Sequence, residues 1–237
     1  MTDTASLGSI MGIWAHPDDE TFASAGLMAA AVQNGQSVAC VTATRGESGV
    51  QDAKKWPADQ LGDIREQELH NALEILGIQN HHWLGYADGG CRDVPSAEAV
   101  SRLTEIVQRH RPDTIITFAP DGMTGHPDHQ AVSSWARILV LAANWPIGLL
   151  YVATTEEDYD DHLRDMDEKL NIFYNIDQPK LVPRTQCDIV FELSPALCEQ
   201  KCKALAAMPS QMSKLQELYP WDYLCRLFTT ECFTTGL

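Results

Sequence analysis

Two short stretches of the sequence carry residue types that can do chemistry. One is His16-Pro17-Asp18-Asp19, followed by Glu20; the other is His126-Pro127-Asp128-His129. His16 and Asp19 stand three residues apart around a turn, so both side chains can reach one point, and His129 can meet them from the opposite lip of a crevice. Two imidazoles and one carboxylate are the ligand set of a catalytic zinc that keeps open positions for water and substrate. They are equally the facial triad of non-haem iron(II) oxygenases. Asp18 and His126 sit beside this set with no evident structural task, which favours hydrolysis: a water nucleophile needs a base, and a carbonyl substrate needs a group that stabilises its oxyanion. The carboxylates and prolines alone would also suit the first turns of helices, but capping does not call for three histidines.

Such a site needs elements that bring residues 16–20 and 126–129 together. Apolar runs over 10–15, 37–43, 82–84, 114–118, 149–153 and 188–193 read as strands, and they alternate with helical patterns over 19–34, from a cap at Asp63 to Gly77, over 96–111, from about Asp128, and from Ser194 towards Met208. This alternation predicts an α/β fold, Rossmann-like and doubly wound, with a mostly parallel sheet and helices on both faces. Both tetrads then lie at strand-to-helix junctions, and strand four falls beside strand one across the switch point where open α/β sheets place ligands. We expect one domain over 1–237, with an acidic, proline-punctuated insertion or flap at 154–185.

The composition narrows the function. The chain has 237 residues, 44% of them hydrophobic, enough to bury a sizeable core. Its net charge of −16 lacks the basic footprint that nucleic acid or an anionic membrane surface demands. The apolar run 138–153 is broken by Asn144, Pro146 and Gly148 and is too short to span a bilayer. Asp3 and the lack of an apolar leader region point to a cytoplasmic protein. Seven cysteines without a CxxC pair are expected to be reduced, and Cys198 and Cys202, one helical turn apart, do not make a metal site without a second pair. His70, His81, His82, His110 and His162 are expected at the surface or an interface, the acidic stretch 156–168 as a solvated face, and the aromatic cluster 220–223 as core or as a homo-oligomer contact.

Four motifs resemble those of the zinc-dependent de-N-acetylases of the PIG-L/LmbE group: AHPDDE at 15–20, TRGESG at 44–49, LGYADG at 84–89 and GHPDH at 125–129. The resemblance covers roughly 10–136. It implies that His16, Asp19 and His129 bind zinc (Zn2+), with iron(II) (Fe2+) able to take its place in such sites. It further implies that Asp18 is the general base, that His126 stabilises the tetrahedral oxyanion, and that Asp128 orients His126 and favours its charged form. Arg45 and Asp88 match positions that hold sugar hydroxyls or attached groups; the structural readings are that Arg45 pairs with Glu47 and that Asp88 belongs to a glycine-rich turn. The implied activity is removal of acetyl from a small amino-sugar substrate of the N-acetylglucosamine type, with an amidase on a related conjugate and a non-catalytic zinc-containing sugar-binding module as alternatives. One position departs from the pattern. Thr124 stands where members acting on an inositol-linked thiol precursor often carry tyrosine.

Overall fold

The computed structural model describes residues 4–236. Strands β1 (Ile10–Trp14), β2 (Val38–Thr44) and β4 (Thr114–Phe118) are buried along their whole lengths. Central parallel strands are covered on both faces, which is why these segments read as unbroken apolar runs rather than alternating ones. With β3 (Asn80–Tyr86), β5 (Gly148–Val152), β6 (Ile189–Glu192) and β7 (Thr230–Thr235) they form a seven-stranded sheet in the order β3-β2-β1-β4-β5-β7-β6. β1 pairs in parallel with both β2 and β4, setting Gly12 opposite Cys40 and Ile116. The predicted adjacency of strands one and four is therefore present. β7 runs antiparallel to both β5 and β6.

Helices α1 (Asp19–Gln33) and α4 (Pro127–Ala142) follow β1 and β4 and carry the two tetrads at their first turns. α2 (Leu61–Leu76) ends at Gly77, whose left-handed backbone (φ 78°) closes the helix. α3 (Ser96–His110) packs with α4, while α1 and α2 pack with α7 (Pro195–Ala206), which Ser194 caps by accepting from the Leu197 N–H. α2 differs from expectation at its start: Gln60 occupies the N-cap position and Asp63 lies inside the first turn, where a carboxylate suits the helix dipole without capping. α1 is buried nearly all round, and a Cβ at Gly26 would run into Leu193.

The segment 154–185 leaves β5, forms α5 (Glu156–Asp158), a π-helical turn (Tyr159–Leu163) and α6 (Arg164–Leu170), and returns so that Val182 bridges Thr155. α6 packs with α8 (Pro209–Leu218) and α9 (Trp221–Leu227) in a second apolar cluster around Met166, Leu205, Met212, Tyr219 and Leu224. Tyr219 and Tyr223 stack on each other, and Trp221 and Tyr223 of the aromatic stretch 220–223 pack half-buried against this cluster. A buried ion pair fastens this part to α1: Lys201 Nζ donates to Glu231 at 2.7 Å and to the Phe22 carbonyl, and Glu231 accepts from the Gly26 and Leu27 N–H groups.

One expectation is corrected here. Cys202 and Cys225 form a disulfide between α7 and α9, whose packing brings their Cα atoms within 5.6 Å; the other five cysteines are free. His81 is half-buried on the edge strand β3, against Thr42 Oγ1 at 3.0 Å, where burial, with the neighbouring His70 and His82, lowers its pKa to about 3. Among the described residues, no helix is long and apolar enough to cross a membrane.

Candidate active site

The carboxyl ends of β1 and β4 deliver His16 and the loop before α4 to the same crevice. Pro127 opens α4 at the position where a missing N–H costs nothing. His126, just before it, caps the helix: its Nδ1 accepts from the Asp128 N–H at 3.2 Å, so the neutral ring carries its proton on Nε2. His129, one turn on, stacks on Phe118 at 4.0 Å between ring centroids and donates Nδ1–H to the Gly122 carbonyl. Its Nε2 lone pair then faces His16.

His16 is fixed from the other side. Its Nε2 lies 3.0 Å from Asp88 and 3.3 Å from Asp128, both side chains buried, and donates to them. His16 Nδ1 then faces the Nε2 lone pair of His129 at 3.2 Å, and a charged His16 donates a proton across this gap. Two acceptors at that distance repel unless a cation or a proton lies between them. The Asp19 carboxylate completes the set, 3.7 Å from His16 Nδ1 and 3.4 Å from His129 Nε2. Ligands of a tetrahedral ion with bonds of 2.0–2.1 Å lie about 3.3 Å apart, so the residues present fit a divalent ion of zinc's size. His126 is close as well, with a ligand atom within 4.8 Å of those of His16 and His129.

The electrostatics agree. Burial lowers the pKa of His16, but its bonds to Asp128 and Asp88 and the charge of Asp19 outweigh it and raise the value to about 10. A group of carboxylates that holds a buried imidazolium so firmly is a site that calls for positive charge. Burial, opposed by Arg65 and reinforced by Asp19, raises Asp18 to about 7. Burial raises Glu20 to about 8 and lowers His129 to about 4. Asp18 also has a strained backbone, with φ at 115°.

Within the described residues, a profile of the GlcNAc-PI de-N-acetylase family, PIG-L, matches residues 11–140, a segment holding every residue named above as lining this site. The chain belongs to the PIG-L family. It is similar to the 1D-myo-inositol 2-acetamido-2-deoxy-alpha-D-glucopyranoside deacetylase of Mycobacterium sp. (strain JLS), being 32% identical over 229 residues that cover 86% of this chain and 74% of that protein. Its fold resembles that of the N,N'-diacetylchitobiose deacetylase of Pyrococcus horikoshii, with a TM-score of 0.69 at 22% identity over 99% of this chain and 87% of that one. It also resembles the 4-carboxy-2-hydroxymuconate hydratase of Pseudomonas putida, with a TM-score of 0.68 at 16% identity over 97% and 96%. PIG-L-like architecture thus serves more than one chemistry, and the site residues must decide between them.

Of the residues expected in this PIG-L site, His16, Asp18, Asp19, His126, Asp128 and His129 converge. Three expectations need correction. Asp128 orients the His126 ring through its backbone N–H and not through its carboxylate, which accepts from the Gly89 and Cys91 N–H groups at 2.8 and 3.0 Å and from His16. His126 is not favoured in its charged form either, because burial and then His16 lower its pKa more than Asp128 raises it. Asp88 lies in the glycine-rich turn after β3, in line with its structural reading, and faces His16 and the Ser48 N–H; burial would raise its pKa, but the His16 contact lowers it to about 2. Arg45 points away and pairs with Asp63 and Glu66 of α2, at 2.9 and 3.0 Å, and not with Glu47.

The arginine that reaches the site is Arg65. It is 4% exposed, donates to Gly46 and Pro17 carbonyls, and lies 3.2 Å from Asp18 Oδ2. Its signal was in the sequence: Arg65 and Glu68 share the inward stripe of α2 with Leu69, Ala72, Leu73 and Leu76, and a charge on an apolar stripe needs a buried partner. Glu68 finds its partner in Ser210, accepting from both its N–H and its hydroxyl.

Proposed function

We propose that the chain is a zinc-dependent de-N-acetylase of N-acetylglucosamine-type amino sugars or small conjugates of them, with His16, Asp19 and His129 as the metal ligands. The observation that carries this reading is the approach of His16 Nδ1 and His129 Nε2 to 3.2 Å with the Asp19 carboxylate close to both, beside a second carboxylate, Asp18, that no ligand role occupies. A zinc ion bound there supplies Lewis-acid polarisation of the amide carbonyl and lowers the pKa of a water ligand towards ~7.

The chain's own residues do the rest. Asp18 takes a proton from the attacking water, and Arg65 holds that carboxylate in place. His126 points Nε2–H at the carbonyl oxygen as negative charge develops, acting as a neutral donor. When the C–N bond breaks, the proton held by Asp18 passes to the departing nitrogen, leaving acetate and a free amine. Asp88 and Asp128 fix the tautomer of His16, the arrangement by which carboxylates orient metal-binding imidazoles. The substrates for which the Mycobacterium relative and the Pyrococcus fold neighbour are named, an acetylated glucosaminyl-inositol and diacetylchitobiose, support an acetylated amino sugar as the substrate class.

The test is acetate release from N-acetylglucosamine, its inositol conjugate and diacetylchitobiose by protein loaded with zinc or iron(II). Equimolar acetate and free amine are the expected products. Oxygen consumption with a 2-oxo acid and no acetate would replace this reading with the oxygenase.

A further inference from the structure

We infer that the catalytic cavity carries an apolar subsite for a hydrocarbon substituent of the amino-sugar substrate, walled by Leu163, Met166, Phe173, Leu215, Leu227 and Phe228. The inference deepens the proposed function and rests on it for the identity of the sugar. The cavity, about 540 Å³, begins at Asp18, Asp19 and His129 and runs into the second apolar cluster. Ligand pockets of about 300–1,000 Å³ take drug-sized molecules, far more than the two carbons of an acetyl group.

The wall is mostly apolar. Met166 and Phe173 are buried, whereas Leu163, Leu215, Leu227 and Phe228 are only partly covered by the cluster they belong to and keep surface towards the cavity. The nearby polar side chains are largely committed to the protein. Lys201 is paired with Glu231, Asp158 with Arg184 and Thr155, and Gln211 donates to Ser210. Among the described wall residues His162 Nδ1 is buried without a hydrogen-bond partner, so a sugar ring placed there would regain few of the hydrogen bonds it gives up to water, an unfavourable exchange, whereas a hydrocarbon gives up none. The polar ring therefore belongs near the catalytic carboxylates and the apolar substituent in the annex. All six wall residues lie beyond residue 140, outside the segment matched by the family profile.

The hydrocarbon has two sources, the aglycone or the acyl group, and two substrate series separate them. One lengthens the glycoside of N-acetylglucosamine from methyl to hexyl. The other lengthens the N-acyl group of methyl glucosaminide from acetyl to hexanoyl. With zinc-loaded protein, kcat/KM should rise in one series by roughly fourfold per methylene over the first few carbons. The series that rises names the source. Leu215→Ser and Phe228→Ser should each lower the ratio of long-chain to short-chain kcat/KM by at least about tenfold, a ratio unaffected by a general loss of active protein.

Calorimetric binding of hexyl glucoside against methyl glucoside, which have no amide, reads the subsite without turnover. Flat series together with equal binding of the two glucosides overturn the proposal, and so does a chain-length preference that survives in both variants. If no acetylated compound is hydrolysed while hexyl glucoside binds more tightly and the variants lose that gain, the subsite stands and the hydrolytic reading falls.

Discussion

The Arg65 guanidinium lies 3.2 Å from the Asp18 carboxylate while donating to the carbonyls of Pro17 and Gly46, so a single side chain ties the base to both loops that frame it. A planar fork is needed for three acceptors in different directions, and an ammonium does not reproduce it. Arg65→Met should destabilise the protein by about 3–5 kcal/mol, the cost of leaving one partner of a buried pair alone. It should lower kcat at least about tenfold, with Arg65→Lys rescuing little of either. Urea unfolding and steady-state kinetics on the same preparations check this; an Arg65→Lys variant with native kcat would remove the geometric argument.

Asp18 combines a chemical role with a backbone conformation that other residues avoid. Asp18→Asn should keep its metal and lose at least about 10²-fold in kcat, the scale of a missing general base. Asp18→Gly should also be inactive, and it should be less stable than the parent: glycine accepts φ 115°, but the buried Arg65 loses its counter-charge, a cost of about 3–5 kcal/mol that outweighs the ~1–3 kcal/mol of strain relieved. Metal content, kcat and denaturant midpoint decide the matter. Native-like turnover in Asp18→Asn would take this residue out of the mechanism.

Asp88 and Asp128 give a test that separates holding sugar from holding His16. If they orient the imidazole, Asp88→Asn and Asp128→Asn should weaken metal binding by roughly 10–100-fold, and saturating zinc should restore much of the activity of Asp88→Asn. Competition against a chromogenic chelator measures the first effect. A raised KM for substrate with unchanged metal affinity would return Asp88 to a sugar-binding role.

His81 predicts a pH effect on stability. Its folded pKa, about 3, lies below the ordinary value of 6.5, so between those limits the unfolded chain binds a proton that the folded chain refuses. The stability it contributes is whole above pH 6.5 and is lost as pH falls towards 3, at up to about 1.4 kcal/mol per pH unit. His81→Gln should flatten the stability curve between pH 6.5 and 4. A variant curve parallel to the parent's across that window would contradict the assignment.

Much of this fold could be read from the chain. Thr114–Phe118 is a strand with the predicted ends, Gly77 stops its helix and Ser194 caps another, because each depends on local chemistry. β7 and the helices α8 and α9 were not foreseen: their patterns are short, punctuated by Pro209 and Pro220, and make sense only against the sheet edge and the cluster that they complete. The site divides the same way. The two tetrads were legible because their residue types are costly to keep without a purpose. The direction of each carboxylate was not. Asp128 sits two residues from His126 yet serves His16, 112 positions away, and Arg65 rather than Arg45 turns inwards because α2 rotates one towards the loops and the other pairs with its outer acids.

The place of β7 between β5 and β6 has a consequence for how the polypeptide must be made. Residues 230–235 join β6 to the rest of the sheet and bring Glu231 to Lys201. A nascent chain released or clipped before that point would expose two unsatisfied strand edges and a lysine sealed in hydrocarbon. Such a fragment would be open to chaperones and proteases, so the sheet becomes durable once β7 has been made and paired.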